Sequence, residues 1–97
     1  MSRFLVRVEL RNSEAADYTE LHEKMRAHDF YRFARFPGSD DFFHLPDAEY
    51  LFYGVKGTET TTYVGYLAKN IAEQIRENPR IVVTEIKDSF QLGLDKL

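Results

Sequence analysis

Cysteine is absent from this 97-residue chain, which excludes disulfides, thiolate metal sites and cysteine nucleophiles. Tryptophan is absent as well. No apolar run approaches the roughly 18 residues needed to span a bilayer, and Arg3 and Arg7 interrupt the amino terminus too early for a signal peptide. These gaps predict a soluble, cytoplasmic protein without a membrane partner. A glycine-rich phosphate loop and a nucleophile elbow are both missing, so nucleotide hydrolysis and serine-hydrolase chemistry have no support. His22, His28 and His44 never stand three or four residues apart, which leaves no helical two-histidine metal site. No metal site is assigned, and no residue pattern names a cofactor. A net charge of -3 and a pI near 5.6 argue against indiscriminate nucleic-acid binding, which draws its energy from phosphate neutralisation. A local basic patch remains compatible with that balance.

What the chain has is apolar and aromatic residues in regular patterns. The apolar fraction is 43%, with eight Phe and six Tyr, enough to argue against disorder and for one small core. From Arg3 to Arg11, Phe4, Val6, Val8 and Leu10 alternate with the charged Arg3, Arg7, Glu9 and Arg11. Two-residue alternation predicts a strand with one buried and one wet face, broken on the wet side only by Leu5. The wet face carries three planar guanidinium donors and, near its end, the carboxylate of Glu9. A solvated, internally paired strand face is the plain reading of the same pattern.

Asn12 or Ser13 offers a helix cap, and Ala15, Tyr18, Leu21, His22 and Met25 follow at helical spacing to about His28. Phe30 to Phe36 predicts a second strand, closed by the Pro37-Gly38-Ser39-Asp40 turn. Phe42 to Leu45 fits either a hairpin extension or a packed loop. A third strand is expected from about Ala48 to Val55, after Pro46. Gly57-Thr58-Glu59 then introduces a second helix, with Tyr63, Leu67, Ile71 and Ile75 on its apolar stripe and Asn78-Pro79 as its stop. Arg80 to Lys87 is the fourth strand, and residues 88–97 form a tail bearing Phe90, Leu92 and Leu94. The order strand-helix-strand-strand-helix-strand over residues 1–97 predicts a single α+β domain, ferredoxin-like βαββαβ. Right-handed crossovers give an antiparallel sheet in the order 4-1-3-2 with both helices on one face. The other face is expected to lie open.

Several groups invite chemistry. His22 suits either half-buried packing or proton transfer. Asp40-Asp41 suits a solvated turn or a hard cation, and Glu9 with Glu49 is the carboxylate pair that neighbouring strands could bring together. Tyr31, Phe33, Tyr50, Phe52 and Tyr53 could stack bases on the open sheet face, or serve self-association as an apolar patch.

The segments Phe4-Leu5-Val6-Arg7-Val8-Glu9-Leu10, Asp17-Tyr18-Thr19-Glu20-Leu21-His22-Glu23-Lys24-Met25, Leu45-Pro46-Asp47-Ala48-Glu49-Tyr50 and Val82-Val83-Thr84-Glu85 together resemble the GhoS-type family, small endoribonuclease antitoxins of type V toxin–antitoxin systems. The resemblance implies a ferredoxin-like fold and cleavage of a toxin mRNA, with Glu9 matching the carboxylate at the end of the family's first strand. The hypothesis built on this is a dimeric endoribonuclease whose catalytic residues are Glu9, as base or metal ligand, and His22, as proton-transfer partner, with Arg7, Arg11 and Arg80 binding RNA. The alternative is a non-catalytic homodimeric module that binds RNA or protein through its open sheet face.

Overall fold

The computed structural model describes residues 2–97. Strand β1 (Ser2–Glu9) runs between β5 (Glu49–Gly54) and β6 (Arg80–Glu85), antiparallel to both. The alternation in β1 acts as anticipated. Phe4, Val6 and Val8 are fully buried against Leu21 and Met25 of α1 (Ala15–Ala27) and against Val64, Ala68 and Ile71 of α2 (Thr61–Ala72). Burial of such side chains contributes about 1.5–3 kcal/mol each, which is why the strand settles with its even-numbered side chains under the helices. Both helices thus pack on one face of the sheet.

The helix starts lie later than the sequence suggested. Asn12 adopts a left-handed φ of 52°, which asparagine tolerates, and so belongs to a turn. The first cap falls at Glu14, whose N–H donates to Asp17 Oδ2 at 2.9 Å. Arg76 binds the same carboxylate at 2.9 Å and ties α1 to the segment after α2. Those two hydrogen bonds, the Glu14 backbone first, hold the Asp17 pKa below its ordinary value. At α2 the Thr60 hydroxyl accepts from the Tyr63 N–H at 3.1 Å.

The plain 4-1-3-2 layout needs correction at its second strand. That strand is divided at Arg32: β2 (Phe30–Tyr31) pairs with β5, while β3 (Phe33–Arg35) pairs with β4 (Phe42–His44) in a separate two-stranded sheet. The main sheet has the order β2-β5-β1-β6. The chain leaves it where the Arg32 carbonyl accepts from the Leu45 N–H at 2.8 Å and the Arg32 guanidinium reaches Asp47 at 3.4 Å. Gly38, at φ 86°, then makes the reversal that joins β3 to β4.

The hairpin β3-β4 and the C-terminal segment cover much of the face expected to lie open. Leu5, Leu51 and Tyr53 pack there with Ala34, Phe36, Leu45 and Ile86. The C-terminal segment packs on its own chain: the Ile86 N–H donates to the Arg3 carbonyl at 2.8 Å, the His44 N–H to Asp95 at 2.8 Å and the Leu97 N–H to Phe42 at 2.9 Å. Lys96 and Asp41 close the contact with an ion pair at 3.2 Å. Among the described residues no helix is long and apolar enough to cross a membrane.

Candidate functional site

Glu9 lies on the odd-numbered face of β1, away from the helices, and is paired with Arg7 at 3.3 Å. Arg80 stands directly across from Glu9 in the β1–β6 register. Arg11, just beyond the strand, donates through Nε to the Asn78 carbonyl at 2.6 Å. Four of the five expected site residues therefore gather at one end of the sheet. Both side chains of the Arg7–Glu9 pair are about half exposed, at 53% and 43%, and a wet ion pair of this kind is worth at most about 1 kcal/mol. Glu49 lies on the same face of the neighbouring strand, one diagonal step from Glu9. It sits directly opposite Arg7, and among the described residues no three His, Asp or Glu side chains are placed to hold a metal ion together.

His22 is elsewhere. Its Nδ1 lies 2.6 Å from the hydroxyl of Tyr50, whose ring is buried with Val6 and Val8 on the helix-covered side. The sheet separates His22 from Glu9, so the two do not share a site. Desolvation, with the charge of Arg32 adding to it and Asp47 opposing it, lowers the His22 pKa and favours the neutral ring. Burial likewise pushes the Tyr50 hydroxyl up, so it stays protonated. A neutral imidazole and a phenol at this distance share one hydrogen bond, which satisfies the only polar atom that Tyr50 carries into the core. Tyr50 at an inward-facing strand position was the sequence signal for such a partner.

The more informative constellation is aromatic. Tyr53 of β5 meets Tyr31 of β2 with centroids 6.2 Å apart, Tyr31 meets Phe33 of β3 at 5.5 Å, and Phe33 meets Phe42 of β4 at 5.7 Å. The four rings are tilted or edge-on to one another and form a continuous strip from the sheet edge onto the outer face of the hairpin. Arginines flank it: the Arg26 guanidinium lies 4.7 Å from the Tyr31 centroid and that of Arg35 lies 5.9 Å from the Phe42 centroid, both within cation–π range. Neither Arg26 nor Arg35 forms an ion pair among the described residues.

The strip follows from the register of the hairpin. Ala34 and Phe43 oppose one another and point inward, which turns Phe33, Arg35, Phe42 and His44 outward. Tyr31, Phe33 and Tyr53 were among the aromatics expected to stack bases. The other two, Tyr50 and Phe52, are buried under the helices and unavailable to a ligand. Phe42, 39% exposed, is the member the sequence did not reveal; its signal was the alternation of Phe42 and His44 about Phe43. No family model, curated protein or solved structure matches this chain.

Proposed function

We propose that this protein is a binding module for single-stranded RNA and that the Tyr53–Tyr31–Phe33–Phe42 strip is its contact surface. The observation that carries the reading is the run of four adjoining rings with Arg26 over Tyr31 and Arg35 over Phe42, neither in an ion pair among the described residues. Unstacked bases gain about 1–3 kcal/mol each from aromatic side chains, with arginine supplying cation–π and phosphate contacts. An A-form duplex keeps its bases stacked on one another and offers no ring face to such a strip. The RNA substrate implied by the family resemblance agrees with this reading. Cleavage is a separate proposition, for which Glu9, between Arg7 and Arg80, is the acid at hand and His22 takes no part.

The test is fluorescence anisotropy with a labelled single-stranded oligonucleotide and its duplex, for the wild type and for Phe33→Ala. Binding of the single strand alone is expected, with Phe33→Ala weakening it about fivefold to a hundredfold. Equal affinity for the duplex, or an unchanged Phe33→Ala variant with an unaltered melting temperature, would overturn the assignment. Product analysis in the same samples, for the wild type and Glu9→Gln, separates binding from cleavage. RNA that stays intact in both assigns binding alone, whereas cleavage lost only in Glu9→Gln assigns Glu9 a catalytic role.

A further inference from the structure

At the edge of the sheet opposite the aromatic strip, β6 ends the strand order, its outer backbone groups unpaired among the described residues. The strand Arg80-Ile81-Val82-Val83-Thr84-Glu85 is β-branched through its middle, contains no proline and has its charges only at the ends. Natural sheets guard long edges with lysines, prolines, bulges or covering segments, and this edge has none of these along its central four residues. Val82 leaves 63% of its surface exposed. Beside the strand, a groove of about 520 Å³ between α2 and β6 is floored by Ile81 and Val83 and flanked by Tyr66, itself 62% exposed.

We infer that β6 pairs with β6 of a second copy, antiparallel, about a twofold axis through Val82. Directly opposed residues of an antiparallel pair share one face of the sheet. When a strand pairs with itself, the axis must therefore pass through a residue and not between two. An axis at Val83 would set Glu85 against Ile81 and Arg80 against Ile86, charge against hydrocarbon. With the axis at Val82, Val82 meets its own copy, Ile81 meets Val83 and Thr84 meets Arg80. The pairing then stops where Glu85 meets Pro79, which has no N–H to give. The self-match of apolar, β-branched residues is what selects a second copy as the occupant. Because this axis is normal to the sheet, both α2 helices come to the same side, where each Tyr66 ring faces the groove over the other copy's Ile81 and Val83. The homodimer expected from the sequence was assigned to the open sheet face, but the hairpin and the C-terminal segment pack on part of that face. The β6 edge takes its place, and it leaves the aromatic strip of each copy free.

The axial residue supplies a test that does not depend on one variant folding. Light scattering of the wild type should give a dimer. Val82→Lys and Val82→Asp should each be monomeric, because like charges would face each other across the axis. An equimolar mixture of the two should recover a dimer, which a misfolded variant could not do. Tyr66→Ala should raise the dissociation constant without abolishing the dimer. A wild type that stays monomeric at every accessible concentration would overturn the proposal. So would single variants that remain dimeric, or a mixture that stays monomeric.

Discussion

Val8 and Arg7 are chain neighbours with opposite fates. Val8 is fully buried beneath the helices, whereas Arg7 is exposed on the other face. An unpaired carboxylate at Val8 costs several kcal/mol, comparable to the whole stability of a domain this size. Val8→Asp is therefore expected to unfold the protein, while Arg7→Ala stays within about 0.5 kcal/mol; circular dichroism with a thermal melt of each variant distinguishes the two. His22 sets a second expectation, on pH. Its pKa is lowered in the folded state, so between the folded value and the ordinary 6.5 the unfolded chain binds more protons. Stability should be fully present above pH 6.5 and decline as the pH falls through the folded pKa. An NMR titration midpoint for His22 below 6.5 is the direct check, and a midpoint above it would mean that the Tyr50 contact favours imidazolium. The acid loss attached to Asp17 falls in a separate window, below its ordinary value of 3.8. At this scale the sequence was legible wherever alternation was strict. It made Val8 inward and Glu9 outward, but it could not join His22 to Tyr50, because that contact spans a helix and a strand 28 positions apart.

The hairpin is where legibility failed. Phe30 to Phe36 reads as one apolar strand by composition, and only the backbone anchorage of Arg32 to Leu45 divides it. Composition is blind to such a bond, just as it is blind to the antiparallel bridge between Phe43 and Lys96. The division matters for the proposed site, since it turns Phe33 and Phe42 outward while Phe43 points in. A largely apolar cleft of about 770 Å³ lies between the hairpin, the sheet and the C-terminal segment. Phe43 is 8% exposed and packs edge-on against Phe36 with centroids 6.2 Å apart. Truncating a buried Phe to Ala typically costs about 3–5 kcal/mol, and here the loss should fall on the hairpin. For Phe43→Ala, hydrogen exchange should quicken at the amides of His44 and Leu45, which bond to Asp95 and Arg32, while the amide of Val8, bonded to Ala48, stays protected. The same variant should weaken RNA binding although it removes none of the four rings.

Over the whole molecule, a net charge of -3 constrains how RNA can be held. A protein of this charge cannot rely on a diffuse positive field, so affinity for a single strand must come from stacking, with a few arginines fixing phosphates. Salt dependence measures the division between the two. For single strands the slope of log K against log salt is about -0.7 per phosphate neutralised. Arg26 and Arg35 allow two such contacts, which corresponds to a slope of about -1.4. Replacing Arg35 with Ala should flatten the slope by about one contact, whereas Phe33→Ala should lower affinity at every salt concentration and leave the slope unchanged. Anisotropy titrations of the wild type and of Arg35→Ala, Phe33→Ala and Arg80→Ala over a range of salt provide the measurement. If Arg80→Ala flattened the slope and Arg35→Ala did not, phosphate would be held at the Glu9 end of the sheet, and the contact surface would have to be moved there from the aromatic strip.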